Sequence, residues 1–274
     1  MYSRGFSFGI TNINVSFQTF TKEPNLNKKV NSFNISVRQF GVHAILVEWP
    51  DKVEESILLE ILQFIEYLKK NHLGEKEWEY VPAYNSLTLI CKDTVLDFDY
   101  FKPKIKEWYT KKGKIESVTR YLWRLPACYD LKFGLDLEEI SEKLGLSIDK
   151  ITDLHAQSIY TVYGIGFLPG FMYLGGVPEA LEVPRKSTPR PKVPMGSVGL
   201  AGKQTGIYPQ DSPGGWNIIG KCPVPMFDLK KENPCFVKVG DKIQFYPISM
   251  AEYQLHKIEN EVGIYKLEKK VLDA

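Results

Sequence analysis

From Gly164 to Lys221 the chain is dense in glycine, proline and basic residues, yet large apolar side chains never drop out of it. Glycine and proline at that density would, on their own, point to a disordered segment. Disorder needs a shortage of apolar residues, and Phe167, Phe171, Tyr173, Leu181, Val198, Ile207, Tyr208, Trp216 and Ile218 remove that option. What remains is a folded surface made of tight turns. In such turns glycine supplies positive φ and close backbone approach, and proline fixes the corners. Loops carried on a rigid scaffold are a common way to build an active site.

The chain has 274 residues, 43% of them hydrophobic, and a net charge of +2. That length allows one large domain or two small ones. The balanced charge offers no field directed at nucleic acid or an acidic membrane, and no apolar run is long enough to span a bilayer. The N-terminus lacks the apolar stretch and cleavage site of a signal peptide. Cys91, Cys128, Cys222 and Cys235 are scattered without a C-x-x-C pair. This fits reduced thiols in a cytoplasmic protein better than a disulfide framework or a zinc site, and no metal site is expected.

The fold class read from the pattern is α+β. Residues 1–33 alternate at strand period around Phe6, Phe8, Ile10, Ile13, Val15 and Phe17, and form an N-terminal extension whose order is left open. Residues 34–116 read as a small α+β unit of order ββαββα. Its strands are expected at 35–40, 43–49, 77–81 and 86–91, and its helices at 52–70 and 100–111. Val53, Ile57, Ile61, Ile65 and Leu68 share one face of the first helix. Residues 117–250 read as a β-barrel with two short helices. Asp136 and Glu139 are spaced as a capping box for the first, which ends at Gly145, and Ser147 caps the second. Strands are then expected at 117–125, 160–167, 195–201, 206–209, 216–221, 236–239 and 242–247. A last helical turn is expected at 252–257, within a C-terminal tail of residues 251–274.

Arg185, Lys186, Arg190, Lys192 and Lys203 lie between Glu182 and Asp211, with no acidic residue between those two. Pro184, Pro189, Pro191 and Pro194 stiffen the run, so less entropy is lost when the cations are held. Arginine's planar fork suits carboxylate or phosphate, and amides in glycine-rich turns form anion-binding hollows. An anion site and a solvated basic loop are both open readings. Gly202-Lys203-Gln204-Thr205 is not a P-loop, because Ser197 and Gln204 stand where Gly and Ser or Thr are required. Pro169 likewise breaks the dinucleotide fingerprint. Gln204, Thr205, Tyr208, Ser212 and Trp216 cluster around glycines as amide, hydroxyl and aromatic groups able to orient a polar ligand. Tyr208 and Trp216 fit a core role equally well. His155, at the end of a helix, is a candidate acid or base, or else a structural histidine.

Taken together, Gly166-Phe167-Leu168-Pro169-Gly170-Phe171, Pro184-Arg185, Thr188-Pro189-Arg190, Gly196-Ser197-Val198, Gln204-Thr205-Gly206-Ile207-Tyr208-Pro209 and Ser212-Pro213-Gly214-Gly215-Trp216 resemble the family of 5-oxoprolinase B subunits. That family is also named allophanate hydrolase subunit 1, kinase-inhibitor-like protein, or carboxyltransferase C/D subdomain. Pro82-Ala83-Tyr84 and Leu154-His155 fit as well. The resemblance implies an N-terminal α+β domain followed by a cyclophilin-like β-barrel. It implies an enzyme subunit, inactive alone, in the ATP-dependent opening of 5-oxoproline to glutamate. The partners it implies are a carboxyltransferase-like C subunit, a LamB/YcsF-type A subunit, and ATP as co-substrate. No Met-Lys-Met biotin site is present on this chain.

Arg185, Arg190, Ser197, Lys203, Gln204, Thr205, Tyr208, Ser212 and Trp216 are the expected substrate and anion contacts. Leu168, Lys186 and Met195 stand where the family more often has a small residue, arginine and alanine. The resemblance also implies an alternative, a regulatory protein that binds and inhibits a sensor histidine kinase. A prolyl isomerase is a third reading, by barrel analogy alone.

Overall fold

The alternating segments near the start pair as two hairpins. β1 (Ser36–Phe40) lies against β2 (Ala44–Glu48), and β3 (Trp78–Ala83) against β4 (Ser86–Cys91). The computed structural model describes residues 33–92, 95–113 and 118–273, all within one compact unit. The expected N-terminal extension lies outside the described residues, Phe33 excepted.

The first sheet runs β1-β2-β4-β3, antiparallel throughout. It is covered by α1 (Glu55–Asn71) and α2 (Phe98–Lys111). The first helix starts at Glu55 rather than residue 52 and leaves Val53 exposed. Glu55 in its first turn and Lys69 and Lys70 in its last complement the dipole. Ile57, Ile61, Ile65 and Leu68 bury against Ile45, Val47, Leu87 and Leu89, which makes one apolar core between helices and sheet. Asp97 caps α2 by accepting from the Tyr100 amide at 3.1 Å.

β5 (Arg120–Ala127) opens a second, eight-stranded sheet. α3 (Leu137–Leu144) and α4 (Ile148–Gln157) follow, and then β6 (Ile159–Ile165), β7 (Met172–Gly175), β8 (Arg190–Val193), β9 (Ser197–Ala201), β10 (Gln204–Ile207), β11 (Ser212–Gly214), β12 (Asn217–Lys221) and β13 (Lys242–Pro247). α5 (Met250–Glu261) and β14 (Glu268–Asp273) end the chain. The strand order is β12-β9-β10-β7-β6-β13-β5-β14, and β8 and β11 form a separate ribbon. β13 runs parallel to β5, and the other pairings are antiparallel.

The α+β class is as expected, but the sheet does not close into a full barrel. β14 occupies the outer edge of β5, pairing with it from Arg120 to Arg124. Cys128, just past β5, does reach β12, where it exchanges two backbone hydrogen bonds with Lys221 at 2.8 and 2.9 Å.

Three other expectations need correction. Asp136 does not cap α3. Its φ of −118° and ψ of 4° aim the carboxylate away from the helix amides, and Arg190 takes it instead. Residues 236–239 form no strand, because the Asp241 carboxylate substitutes for a ladder. It accepts from the Tyr121 and Lys238 amides and from the Trp123 indole at 2.9–3.0 Å. The expected turn at 252–257 is the three-turn helix α5, with a full capping box from Ser249 and Glu252. No helix among the described residues is long and apolar enough to cross a membrane.

Candidate functional site

The glycine- and proline-rich segment folds over one end of the second sheet and encloses a cavity of about 330 Å³. Its walls are aromatic. Phe171 sits at the centre, with its ring edge-to-face against Tyr173 at 5.0 Å, Trp216 at 5.3 Å and Tyr208 at 5.4 Å. Val193, Ala201 and Ile218 back this group from the sheet. Phe167 stands over Phe171 with a left-handed φ of 64° and 64% of its surface exposed. Tyr208 is held at both ends of its peptide. Its amide donates to the Ser197 carbonyl at 2.9 Å, and its carbonyl accepts from the Gly196 amide at 2.7 Å. Gly214 has no room for a Cβ, which would stand 2.3 Å from the Tyr208 hydroxyl.

Arg185 and Gln204 bring a guanidinium and a carboxamide to the lining of this hollow, beside its tyrosines and tryptophan. Arg185 lies between two anchored neighbours. The Pro184 carbonyl accepts from the Asn217 carboxamide at 2.9 Å, and the Lys186 amide donates to the Gly215 carbonyl at 2.8 Å. No carboxylate comes within ion-pair distance of Arg185 among the described residues. Gln204 opens β10, and its Nε2 donates to the Tyr84 hydroxyl at 2.8 Å. Tyr84 belongs to the two-residue turn between β3 and β4, has a left-handed φ of 53°, and donates its amide to the Tyr163 carbonyl at 2.8 Å. Its ring stacks on Tyr163 at 6.2 Å and leans on Tyr173 at 6.0 Å. The first sheet therefore buttresses the wall of the cavity.

The remaining cations of the basic segment are committed elsewhere. Arg190 grips the buried Asp136 carboxylate in a fork of 2.6 and 2.9 Å, and the Ile218 amide donates to the same carboxylate at 2.6 Å. Lys186 bridges Asp136 at 2.9 Å and Glu139 at 2.7 Å. Lys192 pairs with Asp211 at 2.8 Å. Lys203 points outward, 82% exposed and 3.8 Å from Glu182. Burial raises the Tyr208 pKa, and the Trp216 backbone, Arg185 and Arg190 oppose that rise.

His155 lies in the core, 0% exposed, and does not reach the cavity. Burial pushes its pKa down to about 3. Its partners define a directed chain. The Thr205 hydroxyl donates to the Gly199 carbonyl at 3.0 Å, so it accepts from His155 Nε2 at 2.9 Å. His155 Nδ1 then accepts from the Tyr129 hydroxyl at 2.7 Å. This neutral histidine is a core residue, not an acid or base at the hollow, and it takes Thr205 with it. Ser197 is buried in the sheet, and the Ser212 hydroxyl is buried without a hydrogen-bond partner among the described residues.

Of the expected contacts, Arg185, Gln204, Tyr208 and Trp216 line the cavity. Arg190, Ser197, Lys203, Thr205, Ser212 and His155 do not. The sequence pattern assigns no site role to Phe167, Tyr173 or Tyr84. The one signal available was the aromatic at the turn of Pro82-Ala83-Tyr84. Among the described lining residues there is no carboxylate, histidine or thiol. The arrangement can hold a small anion with a flat or apolar body, but it offers no proton acceptor of its own.

Residues 35–237 match the family described as carboxyltransferase domain, subdomain C and D. The chain is 33% identical over 238 residues to the 5-oxoprolinase B subunit of Bacillus subtilis (strain 168), across 82% of this chain and 97% of that protein. Among solved structures, TTHA0988 is similar with a TM-score of 0.65 at 34% identity, over 76% of this chain, which spans 40% of that one. The K. lactis urea amidolyase gives 0.71 at 17% identity, over 89% of this chain and 16% of that protein, a likeness of fold alone. The family match extends over most of the described residues and includes the whole aromatic hollow, and the chain belongs to the family of 5-oxoprolinase B subunits, built on carboxyltransferase subdomains C and D.

Proposed function

We propose that this chain is the B subunit of an ATP-dependent 5-oxoprolinase and that the aromatic hollow receives the substrate. The observation that carries this reading is Arg185, a guanidinium with no carboxylate partner among the described residues, at an aromatic cavity that also contains a carboxamide. A five-membered lactam carboxylate matches that chemistry. Arg185 pairs with the carboxylate, the aromatic rings cover the ring faces, and Gln204 faces the lactam amide.

A lactam is a poor electrophile because its nitrogen donates into the carbonyl. Transfer of the ATP γ-phosphoryl group to the carbonyl oxygen relieves this. Water then adds, and the C–N bond breaks with the nitrogen taking a proton, which leaves a glutamyl phosphate; a second water hydrolyses this acyl phosphate, giving glutamate, ADP and phosphate. The hollow supplies binding and orientation. The proton acceptor and the contacts to ATP fall to two partner chains, one carboxyltransferase-like (the C subunit) and one of LamB/YcsF type (the A subunit). Use of ATP places the reaction in the cytoplasm.

The test is 5-oxoproline-dependent ADP formation by the chain together with its A and C partners. Arg185→Met removes one charge-assisted contact, of about 1.5–3 kcal/mol, and raises KM for 5-oxoproline about tenfold or more. An unchanged KM removes the hollow from the reaction. Absence of turnover with all three proteins and ATP removes the activity.

A further inference from the structure

A second cavity, of about 350 Å³, opens between α5 and the segments that precede β9 and follow β10 and β12. It shares Tyr208 with the aromatic hollow and otherwise has its own lining. The loop side is apolar, built from Pro209, Val224, Pro225 and Met226. The facing wall is Tyr253 and Lys257 of α5, a helix that lies beyond the residues matched by the family. Helix and wall are fixed in place by the Ser249–Glu252 capping box and by Tyr253, whose ring packs against Phe133 at 4.5 Å.

Lys221 projects into this space from the end of β12. Its stem runs along the backbone of Gly196, whose φ is 82°. A Cβ at that glycine would stand 3.4 Å from the Lys221 Cγ and 3.5 Å from its Cε. The ammonium lies 5.4 Å from the centroid of the Phe133 ring. Among the described residues no carboxylate comes within ion-pair distance of it. The acid that bears on it most, Asp211, is already engaged by Lys192 at 2.8 Å and by the Met195 amide at 2.7 Å. Lys257 adds a second positive charge, which, after burial, also pushes the Lys221 pKa down. Lys257 keeps a long contact of 3.7 Å to Glu261 at the rim.

A partly buried ammonium beside a like charge, with no counter-ion, is costly to maintain. An anion in the cavity would offset both the lost hydration and the repulsion. The apolar floor and Tyr253 would cover a hydrophobic body attached to it. We propose that this cavity is a second small-molecule site, for a carboxylate carried on an apolar or aromatic body, with Lys221 as its counter-ion and Lys257 at its rim. The site is independent of the hollow at Arg185 and does not rest on the oxoprolinase reading.

The probe is 4-fluorobenzoate, followed by fluorine NMR on the full chain, with 4-fluorobenzamide as the neutral isostere. Saturable binding is expected, with the acid about tenfold tighter than the amide. Lys221→Met is expected to weaken the acid about tenfold. Lys221→Arg retains binding, and Arg185→Met leaves it unchanged. If Lys221→Met folds poorly, Lys257→Glu serves in its place and weakens the acid while sparing the amide. The proposal is overturned by an absence of saturable binding, by equal binding of acid and amide, or by acid binding that survives both lysine variants. Loss of binding in Arg185→Met instead would put the probe in the aromatic hollow and also overturn it.

Discussion

Gln204 Nε2 donates to the Tyr84 hydroxyl at 2.8 Å, across 120 residues of sequence, and this bond ties the wall of the aromatic hollow to the turn of the first sheet. It consumes one carboxamide hydrogen and leaves the Gln204 oxygen and second hydrogen for a ligand. The geometry is rigid on the Tyr84 side, where the ring stacks on Tyr163 and the amide is bonded to the Tyr163 carbonyl. Tyr84→Phe keeps the stacking and removes the acceptor. Stability should fall by about 1 kcal/mol, a typical net value for one hydrogen bond, measured by urea unfolding. KM for 5-oxoproline should rise while kcat stays near the unmodified value, because Gln204 loses its orientation and not its chemistry. A rise in stability would show the bond to be absent in solution.

Arg190 and Arg185 look alike in the sequence and have opposite roles in the fold. Arg190 neutralises the buried Asp136. Burial alone would raise that carboxyl's pKa, but the Arg190 fork, the Ile218 amide and Lys186 outweigh it and hold the pKa below the ordinary aspartate range. Arg190→Met leaves the buried Asp136 carboxylate with only Lys186 and the Ile218 amide among its present partners and should cost about 2–3 kcal/mol, whereas Arg185→Met should leave stability nearly unchanged. Since the folded state lowers the Asp136 pKa, its contribution is complete above the unfolded value of 3.8 and is lost as pH falls through the folded value. Asp136→Asn should therefore flatten the acid limb of the stability curve below that value. Paired urea titrations of the four proteins provide the measurement. Equal losses for the two arginine variants would contradict this division of roles.

His155 predicts a second pH effect at higher pH. The unfolded chain takes up a proton near 6.5, while the folded chain resists it down to about 3. Stability from the neutral imidazole is thus fully present above 6.5 and drains away as pH falls from there towards 3. His155→Gln should be less stable than the parent at neutral pH, with the gap narrowing steadily under acid. Catalytic pH dependence, by contrast, should not follow His155, because the residue never meets the hollow. A kcat profile that loses its acid limb in His155→Gln would restore the acid–base role.

The ββαββα order of the first unit was legible because its signals are local. Apolar residues at Ile57, Ile61, Ile65 and Leu68 repeat at helical spacing, β4 alternates throughout between buried and partly buried residues, and β2 does so from Ile45 onward. The position of the hollow was legible too, because glycine and proline density marks turns wherever the chain runs. The division of labour among the cations was not legible. Nothing near Arg190 in sequence says that Asp136, 54 residues earlier, will occupy its fork. Local spacing even assigned Asp136 a different partner, the α3 amides. β14 escaped for a related reason. A charged edge strand such as Glu268–Asp273 carries a weak pattern of its own and forms because β5 offers it an open edge.

Gly214 offers the sharpest test of the hollow's shape. A methyl group there would sit 2.3 Å from the Tyr208 hydroxyl and 2.7 Å from two ring carbons, distances no packing tolerates. Phe171 stands edge-on to the ring at 5.4 Å, so Tyr208 cannot swing that way without disturbing the aromatic cluster. Gly214→Ala should therefore cost about 1–3 kcal/mol, as overpacking does, and should impair 5-oxoproline binding. In a Tyr208→Leu background the ring is gone, and the same substitution should cost less than about 0.5 kcal/mol. Urea unfolding of the parent, both single variants and the double variant closes the cycle. Equal cost in both backgrounds would mean that Gly214 is required for the path of its own backbone and not for the room it leaves Tyr208.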